Sequence, residues 1–600
     1  MLLHAFLSQE ERVQKFPVLV LLCLPFLGAG PATSTKPEAA SPQLAALLAD
    51  YEKLRLEESL GDRIQLGLPV VKLPDFSYED AKKAAGVLRG FRSRLERIDA
   101  KRLRHEDWLT REILACQLAD AITSVDHFWA FFQVTPYSSP LRSLHRAFTT
   151  FRFTGERDLP RYLDLLRQYG RAVGQLRANL ETQRAKGILL PKAEIDPVVE
   201  LVRSFVKPPA ESLFTVAPER LGAIAPARAA AFAGEVRKLV EAVTNPALTA
   251  LADLPDAPAY RAAARERIGL GQYPGGQEAY SFLVRLHTTL DLTPGVIHQR
   301  GLREVARLNG RLEEMRRKVG FAGDMPAFRQ FLKTDPRFFA KTPEEVSARL
   351  LAPVRRIEPR IPDFFLHTPK APYGVGRLQP ELEGAMTYGY YQQPTPELPE
   401  GVYRFNGQKL GERTMLWAAA LIYHELIPGH HFQISLQQED ASLPALRKSY
   451  EPTAFVEGWA TYSSELAEEM GGYPDPYDLC GLLASDLFLA SRLVVDTGMN
   501  ALGWSRQEAI DYLRQNTFES DTQIGTETLR YAVDMPGQAL AYKIGAAKIW
   551  EVRREAEKEL GAKFDLRRFH DAVLGGQAMP MNVLEQHVGW WIEREKKRKG

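Results

Sequence analysis

The segment Tyr423-His424-Glu425-Leu426-Ile427-Pro428-Gly429-His430-His431-Phe432-Gln433 holds the residues of this chain best suited to do chemistry. A His-Glu pair by itself carries little, since about one arises by chance in a chain of this composition. His105-Glu106 is such a pair: no histidine follows it, and it reads as surface on a charged helix. Beside His424 the next turn holds Pro428, so the plain His-Glu-x-x-His spacing fails and the second histidine, His430, comes six residues on. On an unbroken helix six residues would turn it off the face of His424. Proline removes a backbone donor and glycine admits unusual dihedrals, so the helix can bulge or break at Pro428-Gly429 and return His430 to a shared ion. A third ligand is supplied by Glu457 in Phe455-Val456-Glu457-Gly458-Trp459-Ala460-Thr461-Tyr462. Two histidines and a glutamate, with a fourth position left to water, form the catalytic zinc pattern, so one Zn²⁺ is expected at His424, His430 and Glu457. Glu425, beside the first histidine, is the candidate general base. His431 reads as a packing neighbour.

The elements that position these residues are helices. Ser77 with Asp80 opens a helix whose apolar residues Ala84, Leu88, Phe91, Leu95 and Ile98 mark one buried face. Thr293-Pro294 reads as an N-cap and first-turn proline, and Thr342 with Glu345 and Ser505 with Glu508 read as capping boxes. Thr453 is the expected cap of the Glu457 helix, Gly471-Gly472 its end, and Gly458 a place where helices approach closely. Alternating strands are few, the clearest being Val402-Tyr403-Arg404-Phe405. The fold class is therefore all-α, mostly helical, with a small strand element beside the active-site helix. Arg492 and Asp496, four apart, are expected to form an ion pair. His298, His570 and His587 have no partner motif and read as ordinary residues; Trp590-Trp591 reads as core.

Hydrophobic residues make up 45% and charged residues 25% of the 600, enough for a sizeable core. Lys and Arg number 77 against 75 Asp and Glu, a balance that gives no reason to expect a nucleic-acid partner. Residues 1–32 read as a secretory signal: Arg12 and Lys15 precede the apolar run Phe16 to Leu27, and Gly28-Ala29-Gly30-Pro31-Ala32 follows. The run is short for a membrane span. Cys23 sits behind Leu21 and Leu22, where a lipid-modified cysteine would follow a small residue. The chain thus reads as secreted or periplasmic, with no stable span once the signal is removed. A flexible leader is expected over 33–45 and one helical domain over 46–600, with a lobe boundary near 207–210 at Lys207-Pro208-Pro209. Cys116 and Cys480 make no metal cluster.

His424-Glu425-x-x-Pro-Gly-His430-x-x-Gln433 and Glu457-Gly-Trp-Ala-x-Tyr462 together resemble the bacterial domain-of-unknown-function 885 family. Further matches are Arg492-x-x-x-Asp496-Thr-Gly, Gly503-Trp504-Ser505, Arg530-Tyr531 and Pro536-Gly537-Gln538-Ala539-x-x-Tyr542-Lys543-x-Gly545. Asn500 departs from the family, which more often has histidine there. The family is similar to helical zinc peptidases such as carboxypeptidase Taq, thimet oligopeptidase and angiotensin-converting enzyme. That similarity implies two helical lobes around a deep groove. The expected activity is hydrolysis of oligopeptides, Glu425 moving the proton and Tyr531 or Tyr542 steadying the oxyanion. Arg530 is available to a substrate carboxylate, the strand at Tyr403 to an extended peptide, and Gln433 to substrate or to the ligands. Two other functions remain: a metal-dependent amidase or esterase on non-peptide compounds, and a secreted binding protein without turnover, against which Glu425 argues. Zinc deaminase chemistry lacks its Pro-Cys-x-x-Cys partner.

Overall fold

A computed structural model describes residues 41–383, 389–395 and 398–598. The signal segment 1–32 and most of the leader lie outside them. The leader ends earlier than its expected limit at 45, because a helix runs over Pro42–Glu58 with Ser41 as N-cap. Leu44 and Leu47 of that helix are buried against Leu114 and Leu118, and this burial orders the segment.

Helices dominate the described residues, as the sequence implies. Local chemistry starts several of them: the Ser77 hydroxyl accepts from Asp80 N, Thr293 from Val296 N, and Ser505 with Glu508 forms the full reciprocal box. At Thr342 only half of the box forms, because the Glu345 carboxylate accepts from Lys341 N instead.

Two large apolar cores organise the molecule. The first gathers helices Asp158–Ala185, Lys192–Ser204, Pro226–Leu239 and Asn245–Asp256, and also Val495, Met499 and Tyr531 from far along the chain. Val202 and Phe214 both belong to it, so Lys207-Pro208-Pro209 is a loop inside one core and not a lobe boundary. The second core collects Leu109 and Ile113, Val346 to Phe365, and much of the chain from Tyr391 to Ile592.

Against the second core lies a three-stranded sheet of β1 (Tyr373–Arg377), β2 (Gly389–Gln392) and β3 (Gly401–Phe405), in the order β1-β3-β2. β3 pairs parallel with β1 and antiparallel with β2. The strand read at Val402–Phe405 is therefore central, its backbone groups engaged on both sides, and it has no free edge for an extended peptide. Tyr403, 2% exposed, is a core residue of the sheet and not a substrate contact.

The chemical segment follows as α1 (Ala418–Glu425), α2 (His430–Glu439), α3 (Thr453–Glu469) and α4 (Pro476–Ala501), then α5 (Asp521–Leu529) and α6 (Ala541–Leu560). Thr453 is the first residue of α3, and Pro452 takes the cap position. α3 ends as expected: Gly471 has φ +74°, its N–H donates to Glu468 O, and Gly472 N–H donates to Ala467 O. Among the described residues no helix is long and apolar enough to cross a membrane. Cys116 and Cys480 are both free thiols.

Candidate metal centre

The helix breaks where Pro428 and Gly429 stand. α1 ends at Glu425, residues 426–429 make a turn, and α2 restarts at His430. A Cβ at Gly429 would lie 1.9 Å from the His424 carbonyl oxygen, so the backbone closes here only on glycine. The turn is pinned from α3: Trp459 Nε1 (2.8 Å) and the Ser463 hydroxyl (3.1 Å) both donate to Pro428 O.

The result brings the three expected ligands together. His424 Nε2 and His430 Nε2 stand 3.4 and 3.5 Å from Glu457 Oε2, and one ligand atom from each residue lies within 4.8 Å of the others. Donors at about 2.0–2.1 Å from a tetrahedral ion are separated by about 3.3–3.4 Å, the size of the two separations from Glu457 Oε2. Among the described residues this is the one group of three or more His, Cys, Asp or Glu side chains so arranged. Electrostatics agree. Burial holds the His424 imidazole below its ordinary pKa, against the pull of Glu457, and so in the neutral form that ligates. Burial alone would raise the Glu457 carboxyl, but His424 and His430 outweigh it and hold the carboxyl ionised, below the usual range.

His431 is not a ligand. Its Nε2 donates to Ala371 O (3.1 Å) and its Nδ1 faces the Tyr391 hydroxyl (2.9 Å), which ties α2 to the sheet. Gln433 is also structural. It is 1% exposed, and its amide donates to Gln437, whose own amide donates to Arg447 O and Tyr450 O. It holds α2 to the next turn and is closed to substrate.

Gly458 does permit a close crossing, and the partner is α6. A Cβ on Gly458 would lie 2.6 Å from Gly545 Cα, and one on Gly545 1.9 Å from Ala454 O. That crossing brings Tyr542, near the start of α6, to the ligands: its ring stacks 6.1 Å from the ring of His424. Burial and then the charge of Glu457 push the Tyr542 phenol above its ordinary pKa, so it keeps its proton. Glu425, half-buried, closes α1 directly beside His424.

Tyr531 belongs elsewhere. It is fully buried, its hydroxyl accepts from Arg492 Nε (2.7 Å), and it gives its proton to Glu527. Its role as an oxyanion donor is thereby corrected, since its one proton is committed. Arg492 pairs with Glu527 and not with Asp496, which accepts from the Tyr280 hydroxyl (2.7 Å) and Gly537 N (3.1 Å). Asn500 joins Leu270 N to Tyr531 O, a linking task in the core. Arg530 lies in the same cluster, with Nη1 on Glu527 and Nη2 on Gln538. No local spacing pairs Arg492 with Glu527, and the pinning of Pro428 by Trp459 could be found only by knowing that α3 packs on the turn. His105 is less exposed than its charged surroundings imply: its ring stacks 3.5 Å from that of Trp590, and Nε2 meets His587 Nδ1.

The family model described as "Bacterial protein of unknown function (DUF885)" matches residues 61–588. The chain belongs to the DUF885 family. The crystal structure of a candidate lipoprotein from Colwellia psychrerythraea is 26% identical; the match covers 92% of this chain and 99% of that one, with a TM-score of 0.82. A second, from Shewanella oneidensis, a candidate lipoprotein of unknown function, is 18% identical over 91% of this chain and 99% of that one; its TM-score of 0.72 gives the likeness of fold alone. No curated protein matches.

Proposed function

We propose that this DUF885 protein is a zinc-dependent hydrolase of the cell envelope or its surroundings, cleaving peptides. The observation that carries the reading is the pair of separations, 3.4 and 3.5 Å, between one glutamate oxygen and two imidazole nitrogens; Glu425 follows the first histidine in the sequence. The resemblance to helical zinc peptidases points the same way. The signal-like residues 1–32 and the two candidate-lipoprotein neighbours support the placement.

Bound at these three donors, Zn²⁺ would acidify an attacking water and polarise the scissile carbonyl. His424, His430 and Glu457 would hold it, the glutamate supplying one negative charge. Glu425 takes the proton from the attacking water and delivers it to the leaving nitrogen. The Tyr542 phenol, protonated at neutral pH, donates a hydrogen bond to the developing oxyanion. Pro428, Gly429 and the α3–α6 crossing hold these groups in register.

The test is metal analysis of the purified protein together with peptide hydrolysis by the parent and Glu425→Gln. The expected result is one zinc per chain in both and turnover lowered by about 10²–10⁴-fold in the variant. Equal turnover in the two proteins, or a parent that takes up no zinc, rejects the reading.

A further inference from the structure

A buried cluster of charge grips the first turn of α6. Lys543, its side chain 6% exposed, directs its ammonium at carboxylates from three other helices. Glu465 Oε1 on α3 lies 2.6 Å away, Asp486 Oδ1 on α4 3.4 Å, and Glu304 Oε1 on the helix Pro294–Lys318 3.5 Å. Burial pulls the Lys543 ammonium down, but Asp486, Glu465 and Glu304 outweigh it and hold its pKa above the ordinary value, so the charge is kept. The second oxygen of Glu465 accepts from Trp550 Nε1, about two turns further along α6. One carboxylate of α3 therefore holds α6 at two points, on either side of Gly545.

Packing alone leaves the rotation of α6 weakly set. Where α3 and α6 cross, Gly458 meets Gly545, so neither helix offers a side chain there to resist turning of the other about its axis. Ala541, Ala546 and Ile549 of α6 lie in the apolar core, and apolar contact has no preferred direction. Hydrogen bonds do, since they weaken steeply when bent. Tyr542 is the neighbour of Lys543, about 100° around the same helix. Turning α6 by about 10° would carry a phenol roughly 8 Å from the axis through about 1.4 Å. The Tyr542 ring stands 6.1 Å from that of His424, and a misplacement of about 1 Å can cost about 10²-fold in rate.

We propose that Lys543 and Glu465 are positioning residues: their bond, together with that of Trp550 to Glu465, sets the rotation of α6 and so the place of the Tyr542 ring beside His424. The use made of Tyr542 rests on the hydrolase reading, and its placement on the geometry of this cluster alone. Asp486 and Glu304 balance the ammonium from the other side, and Arg307 holds Glu304 through both of its oxygens, at 2.7 and 2.9 Å.

The experiment uses Glu465→Gln and Trp550→Phe. The amide offers one oxygen where the carboxylate offers two, and turns an N–H towards the other donor, while Asp486 and Glu304 still balance Lys543. Trp550→Phe leaves the charged groups whole, so it carries the test if Glu465→Gln does not fold. Crystal structures of the metal-free parent and variants read the Tyr542 ring, which is expected to move by about 1 Å or more relative to His424 in each variant. Steady-state peptide hydrolysis by the zinc-loaded proteins should show kcat lowered about tenfold or more, with KM and zinc content kept. In a Tyr542→Phe background the same substitutions should cost little further, because the group they position is gone. A ring that stays in place in either variant overturns the proposal. So does an equal loss of kcat in the Tyr542→Phe background, which would mark a general structural cost. A parent that hydrolyses no peptide rejects the hydrolase reading and leaves the ring position to decide the placement.

Discussion

Replacing Gly429 by alanine tests whether the break between α1 and α2 sets the metal geometry. The added Cβ would lie 1.9 Å from His424 O and 2.4 Å from Tyr423 O, where real Cβ atoms keep at least 3.0 Å. Relief requires the turn to move by roughly 1 Å in a close-packed interior. That movement falls between His424 and His430, because Gly429 joins the two helices that carry them. Functional metal sites hold their distances to within about 0.2 Å, so the displacement is several times the tolerance. Zinc affinity is therefore expected to fall about 10- to 100-fold or more, the range seen when groups that orient ligands are removed. Stability should fall by about 1–3 kcal/mol from overpacking. Chelator competition with a zinc indicator reads the first effect and denaturant melts of the metal-free protein read the second. Gly411→Ala is the control, since a Cβ there meets nothing within 4 Å. If Gly429→Ala loses stability but binds zinc within about a factor of two of the parent, the break does not set the ligand geometry and the argument fails.

Tyr542→Phe should keep its zinc and lose about 10²–10³-fold in kcat, read in steady-state peptide hydrolysis; an unchanged kcat would remove the phenol from the mechanism. Trp459→Phe removes the 2.8 Å bond to Pro428 O, and should cost about 1 kcal/mol of stability and about tenfold in zinc affinity, measured by melts and chelator competition. Burial raises the Asp496 carboxyl from 3.8 to about 7, against the hydrogen bonds of Tyr280 and Gly537. A group raised on folding contributes stability below its unfolded pKa and loses it as pH climbs through the folded value. The parent should therefore lose stability between about pH 4 and 7 relative to Asp496→Asn, by about 2–4 kcal/mol across the window. Denaturant melts at several pH values should show the two curves diverging there; parallel curves would mean that Asp496 ionises as freely folded as unfolded.

Much of the site was legible because its signals are local. His424, His430 and Glu457 could be named from residue type, and the break between them from Pro428 and Gly429, since a proline in the fourth position rules out a continuous helix whatever packs around it. The ends of α3 and the caps at Ser77, Thr293 and Ser505 follow from hydrogen bonds spanning only a few residues. The errors share another cause. Tyr403 reads as an accessible strand residue until β1 and β2 are seen on either side of it. Arg492 and Asp496 sit at ion-pair spacing, yet each faces a different element, and Glu527 meets the arginine from a separate helix. Tyr531 and Tyr542 are equivalent as sequence, and only packing commits the proton of one to Glu527 and leaves the other against His424.

The order of residue types alone determined that the chain is helical, that its helix breaks at Pro428-Gly429, and which three side chains are suited to share an ion, because backbone geometry and ligand chemistry act over a few residues. Tertiary structure decided which tyrosine stands beside those side chains, which carboxylate answers Arg492 and Arg530, and that the strand at Tyr403 is enclosed. Those outcomes depend on helices far apart in the chain crossing closely, as α3 and α6 do where Gly458 meets Gly545, and no short-range pattern encodes the angle or the partner of such a crossing.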